Sequence, residues 1–280
     1  MVIPIHDINP LRRRPIVTWL LIAVNVAVFV LFEPIVTSVA GADTATPTSV
    51  CEQERFFDRW GAVPTEILDN QPAPQAPSGR SAGVNPQGQV LCEVESPPSF
   101  DKSPVLSVLT AMFLHGSWLH LLGNMLFLGV FGNNVEDRMG RFLYLIFYLA
   151  CGYVATYGFA LFESDSTTTL IGASGAVAGV LGAYLVVFPR ARVIGLVTFL
   201  FFLPFWLPAW IVLGFWFLLQ YIYFIGMGVA KGSSVAYGAH VVGFVFGALA
   251  VLPFVRALRA AGPARYQPPD QRWVRRMPWP

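Results

Sequence analysis

The sequence predicts an all-α membrane protein, a bundle of six transmembrane helices with one large extracytoplasmic loop between the first and second. Three observations lead there. Of the 280 residues 55% are hydrophobic and only 12% charged, about half the charged fraction usual in soluble proteins. Six segments, residues 15–32, 117–135, 142–162, 170–188, 208–226 and 236–255, approach the roughly 20 apolar residues that a helix needs to cross the hydrocarbon core. Arginines, finally, gather on one side of the alternating topology.

The N-terminal tail, residues 1–14, ends in Arg12-Arg13-Arg14. The span at 15–32 lacks the short apolar core and small-residue cleavage site of a signal peptide, so it reads as a retained anchor. Arg138 and Arg141 join spans two and three, and Arg190 and Arg192 follow span four. The tail from 256 to 280 carries Arg256, Arg259, Arg265, Arg272, Arg275 and Arg276. The opposite loops hold Glu163 and Asp165 after span three and Lys231 after span five. Positive charge marks the cytoplasmic side, which puts both termini in the cytoplasm. The net charge of +2 is thereby explained by orientation and contact with lipid, and nucleic acid is not an expected partner. Arginine in preference to lysine, with abundant Ala, Gly and Pro, points to a bacterial cell membrane.

Residues 33–116 form the expected extracytoplasmic loop. Gln71-Pro72-Ala73-Pro74-Gln75-Ala76-Pro77 offers nothing to pack into a core, so only the first half is expected to be partly ordered. Within it the mixed aromatic and charged segment 56–64 fits either a membrane-interface position or packing on the helix tops. Cys51 and Cys92 lie in this compartment, where oxidation allows a disulfide. Cys151, inside span three, reads as a small packing residue. The aromatic stretch 198–206 is broken by Pro204 and Pro208 and is assigned to the cytoplasmic interface. Were it to cross instead, His240 would fall on the opposite side from Ser174.

The remaining region, residues 117–255, holds the chemistry. Spans two, four and six run in the same direction, and His120, Ser174 and His240 each sit three or four residues inside them. At about 1.5 Å of rise per residue the three share one shallow depth. An ionisable residue in a spanning segment is a functional-site hypothesis by default, and a serine beside a histidine base is an activated nucleophile. His120 and Asn124, four apart, share a helix face and together offer donors for a developing oxyanion. A polar pair that bonds two helices together is the structural alternative. Gly175, Gly179 and Gly182 form one small-residue stripe and Ala236, His240, Gly243 and Gly247 another, which permits close helix approach.

These residues resemble the motifs of the rhomboid family of intramembrane serine proteases, bacterial type. His120-Leu121-Leu122-Gly123-Asn124 is similar to its HxxxN motif, Gly172-Ala173-Ser174-Gly175 to GxSG, and Ala239-His240-Val241-Val242-Gly243 to AHxxG. Glu136-Asp137-Arg138-Met139-Gly140 is similar to its ExRxG element. The resemblance implies a six-helix core with Ser174 as nucleophile and His240 as base. It also implies an oxyanion hole of Asn124, His120 and the Ser174 N–H, and structural roles for Glu136 and Arg138; the residues alone equally fit a solvated pair. It implies transmembrane protein substrates, a lipid-facing exterior, an active site open to the extracytoplasmic side, and no metal or organic cofactor. One departure stands out: the family often has an aromatic residue four positions after the serine, against the imidazole, and Ala178 occupies that place.

Two rivals come from other classes. A proteolytically inactive rhomboid-like protein that binds membrane clients would lack the serine or the histidine, and both are present. A small transporter would carry polar groups at several depths, whereas these cluster near one face. Substrate identity and oligomeric state are not encoded in any motif.

Overall fold

Each of the six apolar segments contains a helix. The computed structural model describes residues 2–34, 38–39, 42–43, 46–197, 203–226 and 235–260. Lys231, Arg265, Arg272, Arg275, Arg276 and residues 198–202 of the aromatic stretch lie outside the described residues. In chain order, β1 (Val2–Asp7) leads to α1 (Ile16–Leu31), followed by the paired two-residue strands β2 (Ser38–Val39) and β3 (Ala42–Asp43). Next come α2 (Pro47–Trp60), α3 (Pro64–Asp69), a hairpin of β4 (Ala76–Val84) and β5 (Val90–Glu95), and α4 (Pro104–Ala111). The second apolar segment is α5 (Trp118–Phe127), a π-helical turn (Leu128–Gly132) and α6 (Asn133–Met139). Then follow α7 (Arg141–Phe162), α8 (Ser174–Val187), β6 (Arg192–Val197), β7 (Leu203–Pro208), α9 (Ala209–Phe224) and α10 (Tyr237–Val251). A 3-10 turn (Leu252–Phe254) and α11 (Val255–Arg259) continue α10.

The protein is mostly helical, but not all-α. Two helical stretches, Arg141–Phe162 and Tyr237–Arg259, are long and apolar enough to cross a membrane, while α1, α8 and α9 are shorter apolar helices. Strands β1, β6 and β7 form an antiparallel sheet in the order β1-β6-β7. The described part of the aromatic stretch is therefore strand β7 and supplies no helix. Of its prolines, read as chain breakers, Pro208 ends the β6–β7 register opposite Arg192, and Pro204 lies one pair in from the other end, opposite Leu196. This places them on an outer strand, where a missing N–H costs little.

The 33–116 region corrects the expectation of a loop. Outside the Pro-rich stretch 71–77 on which that expectation rests, Pro47, Pro64 and Pro104 each open a helix, the first-turn position at which a missing N–H is harmless. The Pro-rich stretch runs directly into the β4–β5 hairpin, which packs against α2. The Cys51–Cys92 disulfide joins α2 to β5. Glu66 and Lys102 form a buried ion pair, and Glu66 also accepts the Ala73 backbone N–H at 2.8 Å. Segment 56–64 is the end of α2 and the start of α3, with Ala62 and Val63 buried.

Helices α1, α5, α6, α7, α8, α9 and α10, the π turn and Val193 of β6 share the main core, in which Tyr144, Tyr148, Tyr184, Phe29, Phe131 and Leu181 are fully buried. Its closest contact joins α8 to α10. A Cβ on Gly243 would collide with the Gly175 carbonyl oxygen, one on Gly247 with the Gly179 carbonyl, and one on Gly182 with the Phe244 carbonyl. Gly175 also meets Ala155, and Gly179 meets Cys151, which is buried packing as expected. Both stripes read from sequence thus face each other.

At the far end of the bundle from Ser174, α1 is tied in by carboxylates. Glu136 accepts the Val17 N–H at 3.0 Å, the Thr18 N–H at 2.7 Å and the Thr18 hydroxyl at 2.8 Å, a side-chain cap supplied by another helix. Asp137 accepts the Arg12 and Arg13 backbone N–H groups and pairs with the Arg12 guanidinium at 3.0 Å. Asp7, on β1, accepts from Tyr184 at 2.7 Å and from Asn134 at 2.6 Å.

Burial pushes the Asp7 carboxyl up from 3.8 to about 7 despite these hydrogen bonds. A raised carboxyl pKa favours the folded protein in its neutral form, so its contribution is complete below about pH 4 and is lost as pH rises toward 7. Thermal melts in detergent from pH 4 to 8 are expected to show this decline, and Asp7→Asn to flatten it; an equally steep decline in the variant would exclude Asp7 as its source. The double variant Cys51→Ser/Cys92→Ser opens a loop of 41 residues, worth about 2–4 kcal/mol. Its melting temperature is expected to fall by at least about 4 °C, and an unchanged melt would count against a stabilising bridge.

Candidate active site

The chain ahead of Ser174 is extended, not helical, which corrects the placement of the serine four residues inside a helix. Leu170 and Ala62 exchange backbone hydrogen bonds of 3.1 and 2.7 Å, and the Gly172 N–H donates to the Ala111 carbonyl at 2.8 Å. Gly61 lies so close to the Thr169 and Ile171 side chains that a Cβ would overlap them. Gly172 then turns the chain at φ +121°, in the region that favours glycine, and α8 starts at Ser174 itself. The Ser174 N–H is consequently one of the first-turn amides with no partner inside the helix, at the positive end of the helix dipole.

His240 is the fourth residue of α10. The glycine contacts draw α10 onto α8, and the Ser174 hydroxyl reaches His240 Nε2 at 2.8 Å. On the other side of the ring, Nδ1 lies 2.7 Å from Gln220 Oε1 of α9. Both members of the pair are half-buried. Ala178 is fully buried within α8. In place of an aromatic residue there, Trp216 of α9 flanks the imidazole at 6.1 Å between centroids and Tyr237 meets it edge-on at 6.2 Å.

His120 joins the same locus. A Cβ built on Gly172 would stand 2.7 Å from His120 Nε2 and 3.7 Å from Ser174 Oγ, so glycine lets the imidazole approach the serine. Ser117 caps α5 by accepting the His120 N–H at 3.2 Å. Asn124 is buried, and its amide nitrogen donates to the His120 carbonyl at 3.0 Å; its second proton is not engaged by that bond. Beside Ser174 opens a cavity of about 30 Å³ lined by Ala111, Met112, Gly152, Thr156, Gly172 and Ala239, room enough for a water molecule.

Sequence reasoning brought Ser174, His240 and His120 together correctly in space and missed three neighbours. Gln220 is the lone amide in the apolar helix α9, a polar group in a spanning segment and hence a readable signal. Trp216, one turn before it, carries no sequence signal that separates it from the other aromatic residues of α9. His115 packs edge-on against His120 at 5.0 Å, and its backbone N–H donates to both carboxylate oxygens of Glu33 at 3.0 and 3.1 Å. Burial pushes His115 down to about 3 and Glu33 up to about 7, so the His115 ring is neutral at physiological pH.

Glu136 and Arg138 do not pair with each other among the described residues. Glu136 caps α1, while the Arg138 guanidinium lies over the Phe188 ring at 5.1 Å and donates to the Leu258 carbonyl at 3.5 Å. Neither touches the serine. The described residues contain no cluster of His, Cys, Asp and Glu able to hold a metal.

The rhomboid domain family model matches residues 102–257, more than half of the chain and every residue of the Ser174 site. This chain belongs to the rhomboid family. That family is membrane-integral, in keeping with the two long apolar helices. Similar proteins in Arabidopsis thaliana include RHOMBOID-like protein 6, mitochondrial, 37% identical over 78 residues, which are 28% of this chain and 25% of that protein. RHOMBOID-like protein 7 is 36% identical over 84 residues, 30% of this chain and 26% of the relative, and RHOMBOID-like protein 5 is 33% identical over 78 residues, 28% and 25% of the two. The chain thus matches about a quarter of the length of these relatives. They are plant proteins and lend nothing to the expectation of a bacterial source.

Gly172→Ala is the sharpest geometric test of this rhomboid site. The new Cβ combines an unfavourable φ with a clash against His120, so the serine's reactivity toward a fluorophosphonate is expected to drop by at least about 10²-fold, with the melting temperature lowered by only a few degrees. Reactivity within threefold of the parent would show that the His120 approach is dispensable.

Proposed function

We propose that this rhomboid protein is an intramembrane serine endopeptidase that hydrolyses peptide bonds in or beside the transmembrane segments of other membrane proteins. The observation that carries the reading is the 2.8 Å hydrogen bond between Ser174 Oγ and His240 Nε2, made inside a family-matched domain. In this reading α1, the continuous α5–α6 helix, α7, α8, α9 and α10 are six spans, with both termini cytoplasmic. Ser174, at the start of α8, opens to the extracytoplasmic side, where the 33–116 unit also lies. Transmembrane proteins are the substrates and the bilayer is the surrounding medium. Nucleic acid, metal and organic cofactor have no part in the chemistry.

His240 Nε2 takes the Ser174 proton as Oγ attacks the scissile carbonyl. The oxyanion that forms is met by the Ser174 backbone N–H, the free amide proton of Asn124 and the His120 ring. Collapse of this intermediate breaks the C–N bond, and the imidazolium returns its proton to the leaving amine. A water molecule, for which the adjoining cavity has room, then loses a proton to His240 and attacks the acyl-serine ester. Collapse releases the carboxylic acid and restores the Ser174 hydroxyl. A lipid-embedded site makes each donor stronger than it would be in water.

Ser174→Ala and His240→Ala are each expected to abolish both fluorophosphonate labelling and cleavage of a single-span substrate in liposomes. Because the two act as a unit, the double variant should be scarcely worse than either alone. Turnover by Ser174→Ala well above background would remove the reading. A parent protein that neither labels nor cleaves, yet retains a membrane client, would replace it with the client-binding one.

A further inference from the structure

We infer that Gln220 is a positioning residue, the third member of the hydrogen-bonded series, which holds the His240 imidazole in the tautomer with its proton on Nδ1. This rests on the proposed serine chemistry and deepens it. A neutral imidazole has one donor nitrogen and one acceptor. For Nε2 to accept the Ser174 proton, Nδ1 must carry the hydrogen, and that hydrogen needs an acceptor. Gln220 Oε1 stands 2.7 Å from Nδ1, and the distance from Nε2 to Ser174 Oγ is 2.8 Å, so the ring is held from both edges.

Its surroundings leave that task to α9. Helices α7, α8, α9 and α10 contain no Asp, Glu, Lys or Arg except Arg141 at the first position of α7. From α8 His240 meets Ser174; from α9 it meets Gln220 and Trp216; from its own helix it meets Tyr237. From α7, Gly158 and Ala155 face α10 at Val242 and Gly243. On α5 the titratable group nearby is His120. Among the described residues no carboxylate contacts the imidazole to do what the acid of a Ser-His-Asp triad does.

An amide suits this place better than an acid. A carboxylate in an apolar bundle carries a heavy desolvation penalty, whereas Gln offers an acceptor oxygen at the same place without a charge. The difference shows in what each can do: an acid orients the ring and stabilises the imidazolium, while Gln220 orients it and leaves the imidazolium's charge unbalanced. Trp216 and Gln220 are four apart on one face of α9, and Phe217 stacks on Phe244 of α10 at 4.6 Å. The base is therefore oriented by a helix that contributes neither the nucleophile nor the base.

The test joins a spectroscopic reading on the parent with two near-isosteric variants. ¹⁵N-histidine NMR of the detergent-solubilised parent, with the His240 signals assigned by loss in His240→Ala, should show the Nδ1–H tautomer. A resting Nε2–H tautomer would overturn the proposal without any variant. Gln220→Met keeps the side-chain length in an apolar setting and is expected to label with fluorophosphonate about 10- to 10²-fold more slowly, with the Nδ1–H preference gone. This is less than the ~10⁴ that follows when a triad carboxylate becomes an amide that fixes the wrong tautomer, because the Met side chain donates nothing to Nδ1 and leaves the productive tautomer accessible. Gln220→Glu restores an acceptor and should recover most of the labelling rate, with the acid limb of its pH profile moved at least about one unit upward, since a carboxylate beside Nδ1–H favours the protonated ring. Labelling of Gln220→Met within twofold of the parent, tautomer unchanged, would refute the role. Absence of labelling in the parent itself would bring down the serine-hydrolase reading and is distinguishable from all of these.

Discussion

The contact on which the rest of this molecule depends is backbone against backbone, where α8 and α10 meet through Gly175, Gly179, Gly182, Gly243 and Gly247. In a membrane there is little hydrophobic force between helices, and close packing with good dispersion contact does the work instead. Because both helices begin near the same level, their approach brings the first residue of one to the fourth of the other. A single added methyl group at this seam would hold the helices apart by more than a hydrogen bond can stretch. The polar pair at the top is thus a result of the smallness of residues one to three turns below it.

Around that seam, separate devices solve separate problems. The turn into α8 is held by backbone bonds to Ala62 and Ala111 and requires glycine at residue 172. The Cys51–Cys92 bridge and the buried Glu66–Lys102 pair steady the unit that supplies Ala62. At the far end, carboxylates satisfy amides that open water would otherwise have to reach. Each device belongs to a different stretch of sequence, and together they leave Ser174 few ways to move.

Much of the site was legible because polar residues are rare letters in apolar spans: a serine and two histidines at one depth, with glycine stripes beneath two of them. The apolar runs likewise announced the helices. What could not be read followed from two ambiguities. Proline marks both loops and the first turns of helices, and the Pro-rich stretch 71–77 spoke for a loop while Pro47, Pro64 and Pro104 were opening the helices of a folded unit. Short strands such as β6 and β7, with their valine, leucine and tryptophan, have the composition of interfacial segments, and only pairing with β1 reveals a sheet. Gln220 was missed for another reason: its partner lies on a different helix twenty residues later, and no local spacing rule connects them. Glu136 and Arg138, the two ends of one tripeptide, invited a local ion pair, yet each found its partner elsewhere.

The cap on α1 has a consequence for how the chain is made. Val17 and Thr18 donate to a carboxylate 119 and 118 residues further along. While a ribosome is still extending the chain, the first helix enters its surroundings with those amides unanswered, and the group that answers them does not yet exist. Completion of the first helix is therefore an event of assembly, postponed until the end of the second apolar segment has been synthesised and docked. A quality-control factor that recognises unsatisfied helix starts would find this one exposed for a defined interval of translation, and then find it closed.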